Sequence, residues 1–387
     1  MAKRQTWDLF CSVVDNFGDA GVAWRLARQL VAEHGRDVRL FIDVLPVLAR
    51  IAPEVDPNKA SQSAQGMTIM VWHGPHAPLL QAGAASVVIE AFGCGLAADY
   101  LDAMRARPET PAWINLEYLS AERWVDDYHG LPSPQPQGGL SRQFFFPGFT
   151  AQSGGLLREL GLLATRDAFQ ADPSARAALL RSLSIAMADD DPLLISLFAY
   201  ANPRLPALLE AWAEGDRNVV CIVPEGVASG EIDRWSGGAV LHPGQTLRRG
   251  RLALVGIPFV AQDLYDRLLW ASDLNLVRGE DSFVRALWAA RPVAWQPYRQ
   301  ADNAERPKLD AFLARYSDGL PAPLAARYAD WVRAWNGAFD DESAGTMWET
   351  LAADLPALSA YALGWSADLA LQPDLTTRLV TMADHLV

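Results

Sequence analysis

The chain has 387 residues, half of them hydrophobic, and its 46 acidic and 33 basic side chains leave a formal net charge of −13. This negative charge excludes a nucleic-acid binder that works by bulk electrostatic attraction, and the apolar content excludes a disordered chain. The length predicts two domains, at roughly 100 to 200 residues each.

A strand, a loop and a helix open the predicted fold. The apolar run at residues 7–14 is followed by the turn DNFGDAG and then by VAWRLARQLVAEH, whose apolar residues recur at helical spacing. Further apolar runs lie at 38–44, 67–72 and 86–92. This alternation predicts an α/β fold with a parallel sheet, whose ligands lie beyond the carboxyl ends of the strands.

The composition changes at residues 130–155, which are dense in Pro, Gly and Gln and are predicted to form a long ordered loop before a domain crossing. A second α/β series follows, with apolar runs at 192–200, 218–224, 251–259, 272–277 and 292–298. The C-terminal part, rich in Trp, Ala and Leu, is predicted to be helical. We therefore expect a first domain at 1–155, with helices of about 350–387 packing back on it, and a second domain at 156–349.

The cysteines and histidines indicate neither a disulfide framework nor a metal site. Cys11, Cys94 and Cys221 are far apart and odd in number. His73 and His76 flank a Gly-Pro turn, which does not place two ring nitrogens as a helical His-Glu-x-x-His motif does. No apolar stretch has the character of a signal peptide or a membrane span. A cytoplasmic protein without a membrane segment is expected.

The first loop holds Asp15, Asn16, Phe17, Gly18 and Asp19. A glycine in a strand-to-helix turn lets a ligand approach the backbone, and two carboxylates at a strand end could hold or deprotonate a polar acceptor. The alternative is that Asp19 only caps the helix and Asp15 only forms the turn. The loop lacks a complete G-x-G-x-x-G, and no G-K-[ST] occurs, which argues against dinucleotide binding and nucleotide hydrolysis.

A second polar segment, Arg278, Gly279, Glu280, Asp281 and Ser282, follows a predicted strand and opens a predicted helix. An Arg and a helix N-terminus suit a diphosphate, so the two carboxylates must face another group, such as sugar hydroxyls, a base or an acceptor. The alternative is a capped, charge-paired helix start. Side chains near other strand ends could stack on a nucleobase or sugar, or could only pack; these are Phe198, Tyr200, Phe259, Gln262 and Tyr265.

Several segments together resemble the EarP family, the protein-arginine rhamnosyltransferases that modify translation elongation factor P. They run from residue 7 to about residue 310 and include WDLFCSVVDNFGDAGVAWRLARQL, IEAFGCG, WINLEYLSAERW, HGLPSPQ, FFFPGF, GGLLRE and YDRLLWASDLNLVRGEDSFVRALWA. The resemblance implies a GT-B fold, in which two Rossmann-like domains face each other across a cleft. It also implies transfer of L-rhamnose from dTDP-β-L-rhamnose to one arginine of elongation factor P, with inversion and without a metal or another cofactor.

The same resemblance assigns roles to the residues of both segments. It implies that Asp19 is the general base, that Asp15 is its partner near the acceptor and that Glu280 is a third residue needed for activity, while the choice between Asp15 and Asp19 as proton acceptor stays open. Ala20 and Ala23 depart from the family pattern only as small-residue changes in the helix. The donor pocket is implied at Phe198, Tyr200, Phe259, Gln262, Tyr265, Arg278, Asp281 and Ser282, and substrate binding also at Asn16, Phe17 and Gly18.

Two other functions compete with this interpretation. One is a GT-B transferase with a small-molecule or lipid acceptor, which differs in not requiring a folded protein acceptor. The other is a catalytically silent sugar-nucleotide sensor or interaction protein. The presence of Asp15, Asp19 and Glu280 argues against it, because binding alone does not need three carboxylates near a diphosphate.

Overall fold

The computed structural model describes residues 5–15, 17–72, 83–135, 138–187, 192–299 and 303–387. Asn16, His73 and His76 therefore lie outside the described residues. The chain divides into two compact units, of which the first comprises Met1–Leu160 and Leu369–Val387 and the second comprises Gly161–Asp368.

The second crossing between the units lies further along the chain than residue 350, where we expected it. The helix Trp348–Leu369 belongs to the second unit up to Asp368. Within that unit the hydroxyl of Tyr361 donates a 2.6 Å hydrogen bond to the carbonyl of Tyr316. Only Leu369–Val387 joins the first unit.

Strands and helices alternate along most of the described chain. The strands are β1 Thr6–Cys11, β2 Asp37–Ile42, β3 Ser61–Ala64, β4 Met67–Val71, β5 Val87–Ala91, β6 Ala112–Leu116, β7 Pro132–Pro134, β8 Ser141–Phe145, β9 Leu193–Leu197, β10 Val219–Pro224, β11 Thr246–Arg249, β12 Leu252–Ile257, β13 Leu274–Arg278 and β14 Val293–Gln296. The helices are α1 Phe17–Ala32, α2 Leu45–Ile51, α3 Ala98–Arg105, α4 Trp124–Tyr128, α5 Leu162–Ala171, α6 Pro173–Ser182, α7 Leu205–Glu214, α8 Ser229–Ser236, α9 Gln262–Ala271, α10 Asp281–Trp288, α11 Glu305–Ser317, α12 Ala322–Trp335, α13 Ser343–Thr346, α14 Trp348–Leu369 and α15 Leu375–Leu386.

The first unit is built on a sheet whose described strands run in the order β3-β4-β2-β1-β5-β6-β8-β7. The strands pair in parallel except at the two edges, where β3 and β7 run antiparallel to their neighbours. The predicted loop at 130–155 is therefore wrong in part, because β7 and β8 lie within it. Pro132 and Pro134 lie in the edge strand β7, where proline costs no central sheet hydrogen bond, and Gly138 and Gly139 precede β8 with positive φ angles.

Aromatic side chains fill the core on one face of this sheet. Phe10 of β1 stacks on Phe41 of β2 with ring centroids 4.6 Å apart, and its edge meets Trp72 and Tyr100. Met104 of α3 closes the same cluster. Strands that are buried on both faces explain why β1, β2 and β5 read as continuous apolar runs rather than alternating ones.

The second unit repeats this architecture with a sheet of described order β11-β12-β10-β9-β13-β14. All of its pairs are parallel except β11 with β12. In both sheets the first strand has its successor on one side and a later strand on the other. Such a reversal of strand order opens a crevice at the carboxyl ends of the strands, where doubly wound proteins bind their ligands.

Candidate functional site

The loop after β1 lies at the point of reversal in the first sheet, because β1 is flanked by β2 and β5. The chain leaves β1 at Cys11 and enters α1 at Phe17. Asp15 lies in this loop, whereas Asp19 is the third residue of α1. The two carboxylates singled out from the sequence are thus at the position where the topology predicts a ligand.

The Asp19 carboxylate is buried and is held by backbone amides. Its Oδ2 atom accepts hydrogen bonds from the amides of Val14 and Asp15, each 2.8 Å long, and only 2% of the residue is exposed. Burial raises the pKa of Asp19, although these amides and the hydroxyl of Tyr118 favour the charged form. Asp19 therefore stabilises the loop, and it also has the raised pKa of a carboxylate suited to proton transfer.

Gly18 makes room for the carboxylate of Asp15. The amide of Gly18 donates a 2.7 Å hydrogen bond to the Asp15 carbonyl. A Cβ atom at position 18 would lie 2.6 Å from Oδ2 of Asp15, which is closer than real Cβ contacts come. Gly18 thus shapes the position of Asp15, and the neighbouring Phe17 ring lies under the guanidinium of Arg50, 5.6 Å from its centroid.

Two further residues at this edge of the sheet were missed by the sequence analysis. Asp43 follows β2, and its Oδ1 atom accepts a 2.9 Å hydrogen bond from the amide of Val13; its charge also raises the pKa of Asp19. Tyr118 follows β6 and hydrogen-bonds the side chain of Asp19. Their positions in the sequence could have indicated them, because each follows the end of a buried strand by no more than two residues. The carboxyl ends of parallel strands meet at one edge of the sheet.

In the second unit, Arg278 ends β13, next to β9. Its guanidinium lies over two rings that follow β9, 4.5 Å from the centroid of Phe198 and 4.7 Å from that of Tyr200. Tyr265 of α9 meets Phe198 at 5.4 Å between centroids, and burial raises the pKa of its phenol. The structure therefore brings Arg278 together with three aromatic residues predicted for the donor pocket, two of them directly under its guanidinium.

The start of α10 lies beside Arg278 and has no side-chain cap. Glu280 is the N-cap residue, but its side chain makes no capping hydrogen bond; its Oε1 atom lies 3.7 Å from Nζ of Lys308 on α11. The hydroxyl of Ser282 donates to the carbonyl of Arg278 and accepts a 3.2 Å hydrogen bond from the amide of Arg278. The helix start is charge-paired, as the alternative interpretation held, but it is not capped, so its amides suit an anion.

Two helices present their first residues to each other in this unit. Gln262 opens α9 and donates a 3.2 Å hydrogen bond to Oδ2 of Asp281, the first residue of α10. The same helices are joined by a buried ion pair, in which Nη2 of Arg285 lies 2.6 Å from Oδ2 of Asp266. Because this pair is bidentate, it fixes one helix start against the other.

Gln296, at the end of β14, was not predicted and links the parts of the second site. Its Oε1 atom accepts a 2.9 Å hydrogen bond from the amide of Tyr200, and its carbonyl accepts a 3.1 Å bond from the amide of Gly279. Phe259 follows β12, which is separated from β9 by β10. It is half-buried, further along the same edge of the sheet.

Neither a metal centre nor a membrane segment is found in the part of the chain that the structure describes. No three His, Cys, Asp or Glu side chains of those residues group as metal ligands do. The described helices are each too short or too polar to cross a bilayer.

Comparison with known proteins points to one enzyme family. The family described as Elongation-Factor P (EF-P) rhamnosyltransferase EarP matches residues 7–384. The chain is 50% identical to a protein-arginine rhamnosyltransferase of Pseudomonas putida over 97% of this chain and 98% of that protein. It is 48% identical to a protein-arginine rhamnosyltransferase of Pseudomonas aeruginosa, with the same coverage of each chain.

Solved structures agree with this match. A structure determined to explain EarP-mediated arginine glycosylation of translation elongation factor EF-P superposes with a TM-score of 0.71 at 39% identity, over 99% of this chain and 100% of that one. MurG of Acinetobacter baumannii superposes with a TM-score of 0.52 at 12% identity, over 99% and 100% of the two chains. The second likeness shows the fold alone, which is the GT-B glycosyltransferase fold.

Proposed function

Because the chain belongs to the EarP family and is therefore a glycosyltransferase, we propose that it transfers L-rhamnose from dTDP-β-L-rhamnose to an arginine side chain of translation elongation factor P. The anomeric carbon would be inverted in a single displacement. The arginine acceptor is named for the curated relatives, and the elongation factor for the solved relative.

One observation carries the proposal from the structure itself. The groups at the two points of strand reversal have opposite charge. The first unit has the buried carboxylate of Asp19 beside Asp15. The second has Arg278 beside a helix start whose N-cap side chain makes no capping hydrogen bond. A cationic acceptor suits the first set of groups, and an anionic diphosphate suits the second.

In the proposed reaction the carboxylates of the first unit act on the arginine. A guanidinium is protonated at neutral pH and its lone pair is delocalised, so it attacks poorly until a carboxylate binds it and takes a proton. Asp19 suits this work, because two backbone amides hold its Oδ2 atom in place and burial raises its pKa. Asp15 would pair with the guanidinium and orient one nitrogen towards the anomeric carbon.

The second unit would hold the donor. Arg278 and the amides at the start of α10 would bind the diphosphate, and the rings of Phe198, Tyr200 and Tyr265 would contact the nucleoside. Arg278 is already ordered by the two rings beneath it, so little side-chain entropy is lost on binding. Glu280 is held by Lys308 next to this anion site, where it would contact the sugar.

One bond forms and one bond breaks in the proposed transfer. A bond forms between an arginine nitrogen and the anomeric carbon, and the bond from that carbon to the diphosphate oxygen breaks. The carboxylate of the first unit receives the N–H proton, and dTDP leaves with the electron pair, its charge stabilised by Arg278. No step needs a metal or another cofactor. The protein would act in the cytoplasm, where its acceptor serves translation.

Intact-mass spectrometry of elongation factor P, incubated with the protein and dTDP-rhamnose, tests this function. We expect a gain of one deoxyhexose on the wild-type factor and none on a factor whose acceptor arginine is replaced by lysine. Modification of free arginine, a small molecule or a lipid in place of the folded factor would overturn the choice of acceptor. The absence of transfer with dTDP-rhamnose, together with transfer from another nucleotide sugar, would overturn the choice of donor.

A further inference from the structure

Phe92, directly after β5, has an unusual backbone conformation. Its φ angle is +59°, in the left-handed region that bulky side chains rarely adopt and that is enriched at functional sites. Glycines at 93 and 95 share positive φ angles of 60° and 75°. The β5 strand borders β1 at the point of strand reversal in the first sheet, so this strained loop lies at the same strand edge as Asp15 and Asp19.

Buried polar groups hold the loop in this conformation. The amide of Phe92 donates a 2.6 Å hydrogen bond to the carbonyl of Leu116. The amide of Gly93 donates to Oδ1 of Asn115 at 3.2 Å, and that of Gly95 donates to Oε1 of Glu90 at 2.9 Å. Asn115 and Glu90 are only 2% and 1% exposed. The loop is therefore fixed by the sheet rather than by its own turn preferences.

The strained backbone places the Phe92 ring against Tyr118. The two rings are stacked, with centroids 4.5 Å apart and planes 14° from parallel. Tyr118 follows β6, and its hydroxyl hydrogen-bonds the side chain of Asp19. One chain of contacts thus leads from the left-handed Phe92 through a stacked ring pair to the carboxylate at the reversal point.

We infer that Tyr118 is a positioning residue for Asp19, and that Phe92 fixes the Tyr118 ring so that its hydroxyl holds the carboxylate. This inference rests on the proposed function, in which Asp19 is the base. The amides of Val14 and Asp15 both bind Oδ2, so these two bonds fix one oxygen of the carboxylate. The side-chain bond from Tyr118 supplies a further point of attachment, from a different strand.

The groups that act on Asp19 come from several elements. Asp43 after β2 opposes its ionisation. Burial raises the pKa of Cys11 in β1, and the charge of Asp19 raises it further. Asp15 lies in the loop before α1. Tyr118 stabilises the charged form. Removal of the Tyr118 hydroxyl should therefore raise the pKa of Asp19. Because only the deprotonated carboxylate can accept a proton, activity should then be lost on acidification at a higher pH than in the wild type.

Tyr118→Phe tests the hydroxyl, with Tyr128→Phe as the matched control, because Tyr128 is 53% exposed in the same unit. We expect Tyr118→Phe to move the acid limb of kcat/KM for the protein acceptor to higher pH and to lower kcat about tenfold or more. The Kd for dTDP-rhamnose should stay within error of that of the control. An acid limb and a kcat equal to those of the control would overturn the inference.

Phe92→Gly and Phe92→Tyr test the ring support. Glycine accepts the φ angle of +59° without strain, so Phe92→Gly removes the ring while relieving the backbone. We expect Phe92→Gly to lose rate as Tyr118→Phe does, whereas Phe92→Tyr, which keeps a stacked ring, retains most of the activity. If Phe92→Gly is as active as Phe92→Tyr, the ring at position 92 does not support Tyr118.

A titration without turnover separates this inference from the proposed function. The side-chain carboxyl carbon of Asp19 can be followed by NMR in selectively ¹³C-labelled protein and assigned by its loss in Asp19→Asn. The midpoint of the pH titration of this resonance should move to higher pH in Tyr118→Phe and stay unchanged in Tyr128→Phe. This expectation holds whether or not the enzyme modifies elongation factor P. An unchanged midpoint in Tyr118→Phe would overturn the positioning role even if transfer is observed in the wild type.

Discussion

The amide of Asp15 donates a 2.8 Å hydrogen bond to Oδ2 of Asp19, so the backbone of one acidic residue holds the carboxylate of the other. The amide of Val14 binds the same oxygen atom. An asparagine can preserve both bonds through its single carbonyl oxygen. The geometry therefore allows a substitution that removes the proton acceptor and keeps the loop in place.

Asp19→Asn should abolish most transfer without loss of the fold. We expect the rate of transfer to fall by the 10² to 10⁴ typical of general-base loss, while the Kd for dTDP-rhamnose stays within about threefold of wild type, a change below 1 kcal/mol. Single-turnover kinetics and calorimetric titration measure the two quantities. If turnover persists, the base must be sought at Asp15 or Glu280; if donor binding is lost as well, Asp19 belongs to the donor site.

The acid limb of kcat/KM for the protein acceptor should lie above the usual aspartate range. Burial raises the pKa of Asp19 from 3.8, and only the charged form accepts a proton. The same shift lowers the stability of the folded state progressively as pH rises from 3.8 to the raised pKa. Asp19→Asn should lack this component in urea unfolding measured across that window. A limb at the value of an exposed aspartate would contradict the assignment.

Gly18→Ala should displace Asp15. The added Cβ would lie 2.6 Å from Oδ2 of Asp15, so the carboxylate must move. Misplacement of a group that orients the acceptor can lower the rate by up to about a hundredfold, with donor affinity unchanged. Gly364→Ala is the control, because a Cβ there meets nothing within 4 Å in the middle of α14, and it should raise stability by up to about 1 kcal/mol. Full activity of Gly18→Ala would show that Asp15 does not orient the acceptor.

Arg278→Ala should weaken donor binding with the fold intact. Loss of a charge-assisted contact to the diphosphate costs about 1.5 to 3 kcal/mol, which is ten- to a hundredfold in affinity. Calorimetry with dTDP-rhamnose measures the change, and the exposed Arg217 provides Arg217→Ala as a control for net charge. A Kd for Arg278→Ala equal to that of the control would show that the guanidinium over Phe198 and Tyr200 does not touch the donor.

Transfer should survive exhaustive chelation. In the proposed reaction Arg278 and the start of α10 receive the charge of the leaving diphosphate, which is the task that a divalent cation performs in other transferases. Activity measured after dialysis against EDTA should match that of the untreated enzyme. Loss of turnover that magnesium or manganese restores would assign a metal-binding role to the carboxylates instead.

The sequence predicted most of the parallel strands, because strands buried on both faces read as uninterrupted apolar runs. It missed β3, β6, β7, β8 and β11. The edge strand Pro132–Pro134 carries proline, and Thr246–Arg249 is polar, so neither has the pattern of a buried strand. An apolar pattern in a sequence indicates buried side chains, and an exposed edge strand has few buried side chains.

The sequence predicted those parts of the candidate site in which several polar residues lie close together in one segment, as in DNFGDAG and RGEDS. Partners contributed from distant segments were not: Lys308 meets Glu280 from α11, and Gln296 meets Tyr200 from β14. These contacts depend on which strands become neighbours in the sheet, and a local pattern does not contain that information. The left-handed conformation of Phe92 was equally hidden, because it is imposed by hydrogen bonds from β5 and β6.

The membership of Leu369–Val387 in the first unit has a consequence for biosynthesis. Gln29 of α1 is 2% exposed and accepts a 2.7 Å hydrogen bond from Thr376, while Arg158 donates to the carbonyls of Ala370 and Gln372. The ribosome makes these partners after it has made the whole second unit. The first unit therefore cannot complete its core until residues 369–387 have emerged. The second unit can finish folding before it, which reverses the usual order, in which the more N-terminal domain folds first.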